Sequence, residues 1–325
     1  MANLDLDHHL NDTVGCVFIG ILLELILYGF SLAQTQYYFH EYPCDRLYIQ
    51  ILVAFLWLLD TARTCCDLQF LWDYLVTNHA NLGGMSRFTN TFIAEFFLAS
   101  CVVLIVQLYF IYSVWRFMAY KWHRFPLTIT MVSLALLSFS GGVVSVYDFT
   151  VNSDLGASLD RAEVPASIQT VTAFVTDVYI AAALSIILHG KRTGFSGTDS
   201  LITKLVAFAI HRGIITALMQ LLHFATYIGT LNDGPNKLFW ALFHFPGSKI
   251  YTNSLLAVFN IRNWLRDGPA QAMVEEIELC SSGSGGSRST GPPQIRAARI
   301  VVTTEVFSDT DLRNGRGRSG SGAGV

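Results

Sequence analysis

The chain has 325 residues, of which 52% are hydrophobic and only 14% charged. Soluble domains carry about 25% charged residues, and the deficit here falls in apolar blocks of the ~20 residues needed to cross a bilayer. The formal net charge of -3 argues against a nucleic-acid partner, and the six cysteines (Cys16, Cys44, Cys65, Cys66, Cys101 and Cys280) lack metal-ligand spacing.

The opening residues, MANLDLDHHLNDT, are acidic and contain no Lys or Arg. A cleaved signal peptide needs a basic leader and small residues after a short apolar core. The first apolar run is therefore predicted to be a retained membrane helix, with 1–13 as a short external N-terminus. Seven spans are predicted, at 14–37, 47–66, 91–115, 126–147, 166–189, 205–229 and 238–260. Each is apolar all round, as lipid exposure requires. The second is the least sharply bounded, because DLQFLWDYLV after Cys66 either extends the helix or lies in the interface. Six and eight spans are the alternatives.

Orientation follows from basic residues in the short loops. One set of loops holds Arg46, then Arg116, Lys121 and Arg124, then Lys191, Arg192 and Lys204, with Arg262 and Arg266 after the last helix. The other holds Arg87, Arg161 and Lys237, and its long member after Tyr147 carries Asp148, Asp154, Asp160 and Glu163. The first set is predicted to be cytoplasmic. The fold class is thus all-α, a polytopic seven-helix bundle over 14–262 with the N-terminus outside and the C-terminus in the cytoplasm.

Composition changes after Asp267. SSGSGGSRSTGPP (281–293) and RNGRGRSGSGAGV (313–325) read as low-complexity linker, so 263–325 is predicted to be a disordered tail. Between them, IRAARIVVTTEVFSDTD (295–311) either is part of that disorder or adds a strand to a cytoplasmic protein partner.

Four stretches, LLDTARTCCDLQFLWDYLVTN (58–78), VQLYFIYSVWRF (106–117), GTDSLITKLVAFAIHRGIITALMQ (197–220) and SKIYTNSLLAVFNIR (248–262), carry a resemblance. With the tail's VVTTEVFSDTD, they resemble a large family of uncharacterised seven-helix membrane proteins from basidiomycete fungi. The resemblance implies the same fold and topology, and no activity.

Seven ionisable residues lie inside the predicted spans: Glu24, Asp60, Arg63, Glu95, Asp177, Arg212 and Lys249. A charge at a helix centre costs about 2.5–3.5 kcal/mol, so facing lipid they would cost roughly 20 kcal/mol together. They are expected to turn inward and pair. Glu24, Asp177 and Lys249 fall near mid-depth, Asp60, Arg63 and Glu95 in the outer half, and Arg212 in the inner half. Asp60 and Arg63 share a helical face and are expected to pair within their helix. A sequential ring of helices would bring Glu24 to Lys249. The cluster is read either as a ligand cradle or as charges that only set helix register.

Lys249 follows Pro246 and Gly247, a pair expected to free backbone carbonyls and open a cavity. A lysine in a seventh helix also raises a retinal Schiff base, but Phe245 stands where the microbial rhodopsin pattern needs an acid. His189 and His211 on one side and His223 and His244 on the other raise a haem, though satisfied bundle histidines are the plainer reading. Asp199 is expected to N-cap the sixth helix, and Asn11 heads an N-D-T sequon.

The residues assign no catalytic, cofactor-binding or metal-binding role. No H-E-x-x-H, G-x-S-x-G or paired-Asp motif occurs, so no enzymatic activity and no cofactor are expected. The expected partners are the lipid bilayer, an unidentified small-molecule ligand and a cytoplasmic protein for the tail. A receptor- or sensor-like role ranks first, a small-solute or proton-coupled transporter second, and a structural membrane protein is the further alternative. The third helix ends VWRFMAY and the last reads TNSLLAVFN, so the rhodopsin-like receptor motifs are missing. The plasma membrane is the expected location.

Overall fold

The computed structural model describes residues 11–78, 89–118, 121–151, 155–189, 196–233 and 238–262. The tail at 263–325 and residues 1–10 lie outside these. The regular elements among the described residues are all helical. A π-helical turn, Asn11–Gly15, leads into α1, Cys16–Glu41, and α2, Leu47–Trp72, continues through a second π-helical turn at Asp73–Thr77. Then come α3 (Asn90–Phe117), α4 (Lys121–Val151), α5 (Leu155–His189), α6 (Ser196–Asp233) and α7 (Ala241–Asn260).

Five of the described helical stretches are long and apolar enough to cross a membrane: Thr13–Glu41, Leu47–Thr77, Asn90–Phe117, Arg124–Val151 and Gly156–Ile187. Their outward faces carry large apolar side chains such as Ile26, Phe30, Leu58, Ile129 and Ile186, while charged side chains are packed inside. That inverts the soluble pattern and makes the protein membrane-embedded.

Helical structure runs beyond the apolar runs. The expected loop at 148–165 is largely helix, because α4 continues to Val151 and α5 starts at Leu155. Hydropathy marks where a helix leaves lipid, whereas backbone hydrogen bonding continues through DRAEVPAS. Pro165 lies within α5. Likewise α6 begins at Ser196, so Asp199 sits inside its first turn and not at its cap.

Consecutive helices pack in a ring that closes α7 onto α1, with α3 also touching α5 and α7. Small residues set the closest approaches, as in membrane bundles generally. A Cβ on Gly20 would lie 2.6 Å from the Ala241 carbonyl oxygen, so α1 meets α7 backbone to backbone. Farther along the same seam, the Asn253 and Asn260 amides donate to the Leu27 and Gln34 carbonyls, each at 2.9 Å. Gly20→Val is therefore expected to lose about 1–3 kcal/mol, read as a lower unfolding temperature in detergent.

Where α7 ends, Arg262 Nη2 donates to Asp45 Oδ2 at 2.6 Å in the turn between α1 and α2. Burial alone would raise the Asp45 carboxyl. The Arg262 guanidinium, the Arg46 backbone N–H and the Tyr38 hydroxyl outweigh it and hold the carboxyl below its ordinary range. A depressed carboxyl stabilises the fold above its unfolded value of about 4 and loses that contribution as pH falls through the lower folded value. Acidification is thus expected to expose 42–46 to hydrogen exchange. Asp45→Asn should show that loss of protection already at neutral pH, with protection factors that no longer depend on pH.

Candidate functional site

Two apolar cores flank a polar layer. One core, near the start of α1, includes Ile21, Phe70, Phe92, Trp240 and Phe245. The other, near its end, includes Tyr38, Leu56, Val106, Leu255 and Phe259. The seven ionisable residues named from the sequence lie on the helix segments between or beside these cores, and all are buried. They form two networks.

The first joins α1, α2, α3 and α7. Lys249 Nζ lies 3.1 Å from Glu24 Oε1 and 3.0 Å from Asp60 Oδ1. It donates to the Asp60 carbonyl at 2.8 Å and to Thr64 Oγ1 at 2.7 Å. Asp60 and Arg63 do not pair with each other. Asp60 serves Lys249, while Arg63 Nε donates to Glu95 Oε1 at 2.6 Å and Nη2 to the Phe245 carbonyl at 2.8 Å. Three positions along a helix are only about 300° of turn, and that is enough to aim Asp60 at α7 and Arg63 at α3. Both guanidinium bonds are direct, in the geometry for which arginine is suited.

Asp67 was outside the sequence reading, and His244 was read there only as a candidate haem ligand or a satisfied bundle histidine. Asp67, one turn beyond Arg63, lies 3.9 Å from its Nε. It falls just past Cys66, where the apolar run stops, and the signal for it was the i, i+4 spacing from Arg63. His244 Nε2 contacts Glu95 Oε2 at 3.0 Å, and its ring stacks on Phe96 at 5.1 Å between centroids.

The second network joins α3, α5, α6 and α7. Asp177 receives Gln107 Nε2 at 3.3 Å and the Tyr251 hydroxyl in a short hydrogen bond, and Arg212 Nη2 stands 3.6 Å away. The Arg212 guanidinium lies 3.5 Å above the Phe110 ring centre, a cation–π contact. Gln220 donates to Tyr251. Gln107, Gln220 and Tyr251 carry no charge at neutral pH, so a reading built on charged residues within the spans gave them no prominence.

Between the networks is a cavity of about 50 Å³ bordered by Phe96, Gln169, Gln220, His223, His244 and Tyr251. One water occupies roughly 10–15 Å³ on this measure, so the space suits a few waters or a small polar molecule. His244 belongs to the first network and Tyr251 to the second, and the His223 ring is 5.3 Å from that of His244. Lys249 is not among the lining residues; its ammonium is enclosed by two carboxylates, a carbonyl and a hydroxyl. In this arrangement the Lys249 ammonium is taken up by the two carboxylates and His244 Nε2 by Glu95.

Residues 173–264 carry a domain of the Family of unknown function (DUF6534). This stretch contains Asp177, Arg212, Lys249 and Tyr251, and so the whole α6–α7 side of both networks. No curated protein matches the chain, and no solved structure does.

Proposed function

We propose that the chain is a receptor- or sensor-like membrane protein in which a small polar molecule occupies the cavity between the two networks. The observation that carries this reading is the placement of α7. It contributes His244 and Lys249 to the first network, Tyr251 to the second and Gly247 to the cavity wall, and it leads into the C-terminal segment. A molecule bonded to His244 and Tyr251 would bias how α7 sits against α1 and α6, which is how a ligand shifts a two-state element.

The proposal includes seven spans, with the N-terminus outside and 263–325 in the cytoplasm of a plasma-membrane protein. The distribution of basic residues supports that orientation. α6 has 38 residues and α7 has 20, and at 1.5 Å per residue even the shorter spans about 30 Å. The resemblance to fungal seven-helix proteins supports the same count. In this reading 295–311 is the docking segment for a cytoplasmic protein, and the chain performs no catalysis.

Gly247 supplies the test, because it lines the cavity and a Cβ there would meet nothing within 4 Å. Gly247→Leu should fill the space without unfolding the bundle. Mass spectrometry of the gently purified protein is expected to find a small polar compound in the wild type and to lose it in Gly247→Leu. Equal loading of the two proteins, or none in either, would contradict the reading. Transport of that compound into vesicles, abolished by Gly247→Leu, would instead make the protein a carrier.

A further inference from the structure

The first network holds four carboxyl groups, those of Glu24, Asp60, Asp67 and Glu95, but only two permanent cations, Arg63 and Lys249. Charging His244 would balance one of the two remaining negative charges and leave the other. An unbalanced buried charge costs several kcal/mol, so the network must take up a positive charge from outside.

Hydrogen bonding shows where. Glu95 has Arg63 at 2.6 Å and His244 at 3.0 Å, and Asp60 Oδ1 has the Lys249 ammonium at 3.0 Å, although Asp60 Oδ2 accepts no bond. Asp67 is 1% exposed, and no donor among the described residues reaches either of its oxygens. Its carboxyl lies within hydrogen-bonding reach of Glu24, whose Oε2 likewise accepts no bond while Oε1 faces Lys249. Two carboxylates so placed repel, whereas a carboxylic acid and a carboxylate form a strong hydrogen bond. One proton satisfies both Asp67 and Glu24 and removes one of the two excess negative charges, the other being the one that a charged His244 would balance. Among the described residues no group of three carboxylate, imidazole or thiol ligands is arranged to hold a metal ion.

We propose that Asp67 and Glu24 form a proton-binding site, with one proton held between the two carboxyls and exchangeable with water. No other bond changes when it leaves: the O–H electron pair stays on the carboxylate, and the proton passes to solvent. The charged groups around the pair are Arg63 and Asp60 on α2, Glu95 on α3 and Lys249 on α7, with His244 beyond Glu95. Deprotonation adds a negative charge beside the Glu95–Arg63 pair, and α7 is the element that would respond.

Infrared difference spectra of the purified full-length chain in nanodiscs, between neutral and strongly alkaline pH, test the site. The wild type should lose a protonated-carboxyl C=O band on alkalinisation, and both Asp67→Asn and Glu24→Gln should lack that band throughout. Because asparagine mimics the protonated acid, Asp67→Asn should unfold within a few degrees of wild type, while Glu95→Gln unfolds well below it. The proposal is overturned by a wild type without such a band, or by a band that persists in Asp67→Asn. Stabilisation of a band-free wild type by sodium over a bulky organic cation would overturn it in favour of a metal cation.

Discussion

Lys249→Met is expected to cost about 3–5 kcal/mol of stability, the loss typical of a buried ion pair deprived of one partner. The ammonium is the shared counter-charge of Glu24 and Asp60, at 3.1 and 3.0 Å, and none of these side chains reaches solvent. Removing it strands two carboxylates in a network already rich in acid. The penalty comes from the stranded charges and not from the net worth of the pair, so neutralising them should recover most of it. Thermal unfolding in detergent should therefore rank the triple variant Lys249→Met, Glu24→Gln, Asp60→Asn well above the single variant. If the triple variant is no more stable than the single one, the Lys249 contacts are not what holds α7 to α1 and α2.

Arg63→Met is expected to lose a similar amount, and Arg63→Lys to recover only part of it. Arg63 binds Glu95 through Nε and the Phe245 carbonyl through Nη2, two acceptors on different helices. The planar guanidinium reaches both at once, whereas a lysine ammonium is a single compact charge on a flexible stem. Arg63→Lys should keep the ion pair to α3 and lose the tie to α7 beside Pro246. Hydrogen exchange at the start of α7 is the discriminating readout. Protection equal to wild type in Arg63→Lys would mean that the carbonyl bond contributes nothing.

Much of the helical layout was legible because insertion energetics leave a strong mark on sequence. Apolar runs of about 20 residues announced helices, and each charge inside one announced a need for burial. The approach of Glu24 to Lys249 also followed, since sequential packing puts the first helix beside the last. The partners of Asp60 and Arg63 did not follow, because i, i+3 spacing permits pairing within a helix but does not decide it when α3 and α7 each offer something better. Asp67 was missed because the apolar run ended one residue before it. The seam of Gly20, Asn253 and Asn260 was missed because glycine and asparagine look unremarkable on a hydropathy scale, although a seven-residue spacing on one helix face was present. Helix ends at 148–165 were misjudged because lipid contact and helical hydrogen bonding stop at different places.

The central claim is that α6 and α7 cross the membrane with the other five helices, which places Arg212 and Lys249 within it. An epitope tag in 234–237, between those helices, tests this most directly when compared with a tag after Asp267 in intact and permeabilised cells. Seven spans predict that the 234–237 tag is reached from outside, whereas the later tag is reached only after permeabilisation. Detection of both tags only after permeabilisation would contradict the account, leaving five spans and an α6–α7 pair that never enters the bilayer.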